Sequence, residues 1–301
     1  MSILKVENIR KMYGKELVLD GVSFEITEPQ IIALVGPNGS GKSTLLNIIT
    51  NLLRPTSGQV TILESNNTNP SIFREIAFMQ DNTVLYDYLT GYDHLQFIAD
   101  VQSLPKKRIT ETAVLIGIES YINKKVKNYS LGMKQHLLIA MAIMNHPKLL
   151  ILDEPLNGLD PTSAIKVRHL LLKLQDEGTA ILLSSHNLGE IDRITTNILF
   201  LKNGRLIQED ISLFEKKHYL ITVDKLEQAR AILSKREIQV ILETQRLKIP
   251  VNNNDSLESI LKLLQAENIR VLDIEKLVTG SEDRYKKIFE NQVKLHETSQ
   301  V

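Results

Sequence analysis

Residues 31–44 read I-I-A-L-V-G-P-N-G-S-G-K-S-T, and this stretch constrains the fold more than any other. Five apolar residues in a row are what a strand buried on both faces needs. They run directly into G-x-x-x-x-G-K-[ST], with helix-forming residues after it. Gly36, Gly39 and Gly41 let backbone N–H groups turn inward around phosphate oxygens, with Asn38 and Ser40 completing the loop. The following helix offers its positive N-terminus to the same anion. Lys42 can reach β- and γ-phosphates, the Ser43 hydroxyl can hold Mg²⁺, and Thr44 continues the turn. An incidental glycine-rich turn would not need the strand and helix on either side. The stretch therefore predicts a nucleoside triphosphate site on an α/β scaffold.

A second apolar strand, L-L-I-L-D-E-P at 149–155, ends in two carboxylates. Asp153 at such a strand end suits a metal beside the phosphates. Glu154 suits orienting and partly deprotonating a water. T-A-I-L-L-S-S at 179–185 is a further buried strand, with a helix between the two. N-I-L-F-L-K-N-G-R-L-I at 197–207 reads as a hairpin with an N-G turn. The first thirty residues alternate around Gly14 and a D-G turn at 20–21, an antiparallel layer. A helix from about Ser43 to Leu53 stops at R-P-T-S-G, and Q-V-T-I-L follows as a strand. Residues 84–146 are helical in character, so a mainly parallel sheet carries a helical insertion.

A different order begins near residue 213. Strand 219–223, helix 224–236, two strands within 238–251, helix 256–266 and strand 270–278 make a βαββαβ pattern, which is ferredoxin-like. N-N-N-D at 252–255 reads as a turn, and a polar helix from about 281 to 296 closes the chain. The expected domains are thus 1–212, with a helical subdomain at about 84–146, and an accessory domain at 213–301.

With the phosphate loop and the D-E strand in this order, the chain resembles the nucleotide-binding subunit of an ABC (ATP-binding cassette) transporter, over roughly residues 1–210. The resemblance implies a P-loop, RecA-like cassette using ATP and Mg²⁺. It places Tyr13 against adenine, and Gln80 of F-M-Q-D at the Mg²⁺ and the attacking water. It places Asp160 of N-G-L-D-P at the interface of two cassettes, and His186 of L-L-S-S-H near the γ-phosphate. Y-S-L-G-M-K-Q at 129–135 matches the family's L-S-G-G-Q signature. Ser130 and Gly132 are retained, and they would touch the nucleotide of a second subunit. Tyr129, Leu131 and Met133 depart from the pattern, and His136 stands where an Arg is common.

S-L-G-M-K-Q, N-G-L-D-P and the βαββαβ extension together resemble ABC-2 type exporters of drugs, bacitracin and lantibiotics. Lantibiotic self-protection exporters often carry Glu at the place of Gln80, which points away from that subset. The resemblance implies an integral membrane permease and a second nucleotide-binding subunit, identical or related, as partners. Of Phe78, Tyr86, Tyr88, Tyr92 and Phe97, about half read as core packing and the rest as a groove for a permease helix. For the extension, dimer bracing or regulation and passive stabilisation stand side by side.

Composition narrows the alternatives. Lys and Arg number 36 against 36 Asp and Glu, which gives no reason to expect nucleic-acid binding. With no cysteine, disulfides and zinc–thiolate sites are excluded. No apolar run approaches the ~20 residues of a spanning helix, and the N-terminus lacks a signal-peptide core. The expected location is cytoplasmic, peripheral to the membrane through the permease, without direct insertion. A soluble cassette ATPase of translation or DNA repair is the main rival. It usually needs paired cassettes, a coiled-coil interruption or zinc cysteines, none of which is here. An importer cassette with an extension more often carries a β-barrel module.

Overall fold

The structure, a computed structural model, describes residues 2–214, 217–251, 257–278 and 280–289. The chain opens with β1 (Leu4–Tyr13) and β2 (Glu16–Ile26), then β3 (Ile31–Val35), α1 (Lys42–Ile49), β4 (Ser57–Ile62) and β5 (Ser65–Asn66). β6 (Ile76–Met79) leads into α2 (Gly91–Val101), α3 (Lys107–Ile116) and α4 (Leu131–Ile143). β7 (Leu149–Leu152), α5 (Pro161–Asp176), β8 (Ala180–Ser185), α6 (Leu188–Ile191), β9 (Asn197–Lys202) and β10 (Arg205–Asp210) follow. The chain divides into two compact units between Glu209 and Asp210. The second unit holds β11 (Lys217–Val223), α7 (Leu226–Lys235), β12 (Ile241–Glu243), β13 (Arg246–Pro250), α8 (Leu257–Ala266), β14 (Val271–Val278) and α9 (Ser281–Phe289).

In the first unit the buried strands form a six-stranded sheet ordered β10-β9-β3-β8-β7-β6, with β6, β7, β8, β3 and β9 parallel. Every residue of β3, β7 and β8 is buried, as a parallel layer covered on both faces requires. A second sheet, β2-β1-β4-β5, is antiparallel. Its inward residues Leu4, Val6, Ile9, Val60 and Ile62 join Ile32, Leu34 and α1 residues Leu45 and Ile49 in one core. This is the P-loop fold the phosphate loop demanded.

Two local expectations change. Asp20-Gly21 is no turn: both lie inside β2, where the β1–β2 register shifts between Ile9↔Val22 and Lys11↔Leu19. Gly21 takes φ +72, and Asp20 is held by Arg205 at 2.7 Å and Arg10 at 3.4 Å. A bulge anchored by distant arginines replaces the turn. Helix α1 also ends early, at Ile49. Asn67 Nδ2 donates to the carbonyls of Ile48 (2.8 Å) and Ile49 (3.1 Å), and Asn51 turns left-handed at φ 58. The terminal carbonyls are thus satisfied from outside the helix.

In the second unit β12-β13-β11-β14 pair antiparallel throughout, and Ile221, Leu233, Leu247, Ile249, Ile260 and Leu264 form the core beneath α7 and α8. That order is ferredoxin-like. The 252–255 turn and the expected helix beyond residue 289 lie outside the described residues.

The pair Glu243↔Arg246 leaves Thr244 and Gln245 as a two-residue loop, with φ 46 and 62. Such a loop favours Asn-Gly, since a side chain at positive φ costs about 1 kcal/mol. Replacing Thr244 by Asn and Gln245 by Gly is expected to stabilise this unit by about 1 kcal/mol. Denaturant titration of the full chain, following the second unit's transition, measures it.

Candidate nucleotide site

Between β3 and α1 the loop turns on Gly39 (φ +78) and Gly41 (φ +101), conformations only glycine adopts without strain. Gly36 is tight for another reason, since a Cβ there would stand 2.6 Å from Ser40 Oγ and 2.7 Å from the Leu201 carbonyl. The Lys42 ammonium is folded over the loop, donating to the carbonyls of Gly36 (2.8 Å) and Pro37 (3.3 Å). Ser40 Oγ is buried and has no hydrogen-bond partner among the described residues, a polar atom in need of one. Val18, Asn38, Gly39, Gly41, Lys42, Ser43, Thr44 and Glu154 line a cavity of about 390 Å³. The Lys42 cation, the start of α1 and the hydroxyls of Ser43 and Thr44 around that volume fit a polyphosphate. Hard oxygen donors from Ser43 and Asp153 fit Mg²⁺.

Opposite the loop stands the end of β7. Asp153 Oδ1 accepts a hydrogen bond from Ser184 Oγ at 2.5 Å, and Ser184 Oγ accepts one from the Glu154 N–H at 2.9 Å. Glu154 sits at φ 51, a strained backbone for a side chain, which functional sites harbour disproportionately. Its carbonyl accepts from Gln135 Nε2 (2.9 Å), and its Oε2 lies 2.9 Å from His186 Nδ1. Sequence reading missed Ser184 and Gln135. The signal for the first was a hydroxyl interrupting the apolar run A-I-L-L of β8.

The remaining candidates stand outside that cavity's lining. Tyr13 is exposed at the end of β1, with Lys11 Nζ 5.0 Å from its ring centroid. Gln80 follows β6 at the strand end beside Asp153, whose N–H donates to the Met79 carbonyl at 2.9 Å, and it also lines a second cavity of about 350 Å³ with Phe73, Phe78, Val84, Ile98 and Gln102. Tyr86, Tyr88, Tyr92 and Phe97 are exposed, so core packing accounts only for half-buried Phe78. Ser130 caps α4, its Oγ accepting from the Met133 N–H (3.2 Å). Asp160 caps α5, accepting from the N–H groups of Thr162 and Ser163 and from the Ser163 hydroxyl. The Ser163 hydroxyl chiefly holds the Asp160 carboxyl below its ordinary range.

The signature's departures have partners. Tyr129 is buried, donates from its hydroxyl to the Tyr121 carbonyl (2.9 Å) and meets the Tyr121 ring edge-on. Leu131 packs on Gly158 so closely that a Cβ on residue 158 would collide with Leu131 Cδ2. Gly132 faces the Gly158 carbonyl and Leu159. His136 Nδ1 lies 3.3 Å from the Tyr121 hydroxyl. Burial pushes the His136 pKa down, against an opposing pull from Asp160 and with a smaller push from Lys166. The same kind of burial pushes Tyr121 up to about 12.

Gly158→Ala meets both the clash and φ +73, and is expected to cost about 2 kcal/mol. Adding Leu131→Ala should return part of that, so the double variant costs less than the sum in thermal or denaturant unfolding. For His136 the lowered folded value means the unfolded chain binds the proton first. Its contribution to stability is therefore present above 6.5 and lost as pH falls below it. The melting temperature of His136→Gln should decline less between pH 7 and 5.5 than that of the parent.

The ABC transporter family profile matches residues 19–157. An uncharacterized ABC transporter ATP-binding protein of Bacillus subtilis is 32% identical over 292 residues, spanning 94% of this chain and 95% of that one. The lantibiotic transport ATP-binding protein of Streptococcus pyogenes is 37% identical over 207 residues, 69% of this chain and 90% of its own length. A solved dimeric structure of a bacterial ABC transporter cassette superposes with a TM-score of 0.64 at 30% identity, covering 69% of this chain and 98% of that one. The dimeric structure covers 69% of this chain, whereas the Bacillus relative spans 94% of it. Phosphate loop, carboxylate-tipped strand and full-length similarity together establish that the chain belongs to the ATP-binding subunits of ABC transporters.

Proposed function

We propose that this chain hydrolyses ATP to drive a separate ABC-2 type membrane permease that exports a peptide, antimicrobial, drug or lipid-like substrate. The observation that carries the reading is the Glu154 carboxylate, which lines the phosphate-loop cavity while paired to His186 at 2.9 Å. Lys42 and the loop amides would bind the β- and γ-phosphates. Ser43, Asp153 and Gln80 would hold Mg²⁺, which neutralises developing charge on the transferred phosphoryl group. Glu154 would take a proton from the attacking water, and His186 would keep its carboxylate aimed while sensing the γ-phosphate. Tyr13, backed by Lys11, would stack on adenine.

Ser130 and Gly132 would complete the site of a second cassette, with Asp160 at the contact. Two cassettes closed around two ATPs would reopen on hydrolysis and reset the permease. The dimeric relative supports this arrangement by likeness. No helix among the described residues is long and apolar enough to cross a membrane, which is in keeping with a separate permease. The cleft beside Gln80, rimmed by exposed Phe73 and Val84, suits a short permease helix laid into it. A cytoplasmic position on the inner membrane face follows from that partnership. The proposed domains remain a cassette and a C-terminal accessory unit.

Glu154→Gln is expected to keep ATP binding, accumulate an ATP-bound dimer on size-exclusion chromatography and lose about 100-fold or more of turnover. Parental hydrolysis in that variant would remove Glu154 from its role. Recovery with ribosomes, and not with membranes when the neighbouring permease is co-expressed, would favour the soluble-cassette rival.

A further inference from the structure

We infer that Ser184 and Gln135 are positioning residues that hold the Glu154 backbone through the peptide groups on either side of it, so that the signature helix itself sets the aim of the general base. The inference rests on the ATPase role proposed for Glu154. Glu154, left-handed two residues past the end of β7, does not hold itself; the chain must be pinned there. Two bonds do so. Ser184, fully buried on β8, accepts the Glu154 N–H, and Gln135, buried on α4, donates to the Glu154 carbonyl.

The hydroxyl's single proton fixes the direction of the chain of bonds. An N–H only donates, so Ser184 must accept there, and its own proton goes to Asp153 Oδ1. Ser184 thus requires an unprotonated Oδ1 on Asp153 and ties the proposed metal-side carboxylate to the base beside it. Ser184 bonds to Asp153 as well, whereas Gln135 bonds to the Glu154 carbonyl. It carries the tie to α4, whose first turn holds Ser130 and Gly132. Tilting α4, as engagement of its N-terminus by a second subunit's nucleotide would, pulls directly on the Glu154 carbonyl. One residue therefore links acceptance of the neighbour's nucleotide to readiness of the chain's own base.

The two contacts predict different losses. Gln135→Met keeps the length and removes the donor. It should lower kcat about tenfold, with KM for ATP and the Mg²⁺-dependent gain in affinity for a fluorescent ATP analogue near parental. Ser184→Cys keeps the shape and weakens both bonds. It should lower kcat similarly and also reduce that Mg²⁺-dependent gain, read by analogue titration with and without Mg²⁺ and independent of turnover. Ser184→Thr keeps the hydroxyl and should restore both. Melting temperatures of all variants report the fold. Parental kcat in Gln135→Met, or equal damage from Ser184→Thr and Ser184→Cys, overturns the inference. An inactive parent chain instead overturns the ATPase reading on which it rests.

Discussion

Parallel pairing of β3 with β8, and of β8 with β7, is the constraint on which the rest of the cassette depends. Strands that run the same way end on the same edge, and an apolar strand can present polar groups only where it stops. The phosphate loop leaves β3, Asp153 and Glu154 leave β7, and His186 leaves β8, all on that edge. The buried interior thus forces loop, carboxylates and imidazole into one place although 31 and 186 lie far apart in sequence. The antiparallel layer then covers one face and contributes Val18 to the cavity wall.

What was legible in the sequence was local. The continuous apolar runs at 31–35 and 149–152 announced buried parallel strands, because no half-exposed strand tolerates such a run. The βαββαβ order of the second unit was equally legible from alternating periods, even with a three-residue β12. What stayed hidden depends on distant partners. Nothing near Asp20-Gly21 tells that Arg205, 185 positions on, converts a turn signal into a bulge. Nothing in α1 tells that Asn67 captures its last carbonyls. At the site, the phosphate loop is a contiguous motif and reads directly. Ser184 and Gln135 act across strands and from another helix, so their bonds to Glu154 show only in the fold, although the hydroxyl after A-I-L-L marked Ser184 as a place to look.

The signature's altered residues also become physical statements. Tyr129 replaces Leu and gains a carbonyl for its hydroxyl, together with an edge-on ring beneath it. His136, in place of a permanent cation, sits half-buried beside Tyr121, and that burial lowers its pKa. A guanidinium there would need an acid for its charge. The exposed Asp160 is already bonded to Thr162 and Ser163.

Leu131 and Gly158 fit as a bump into a hollow. The hollow exists because Gly158, at φ +73, carries no side chain, so the start of the signature helix and the loop ahead of Asp160 meet at a single contact. A side chain at 158 must displace either the leucine or the loop, so the effect of a change at one position depends on which residue stands at the other.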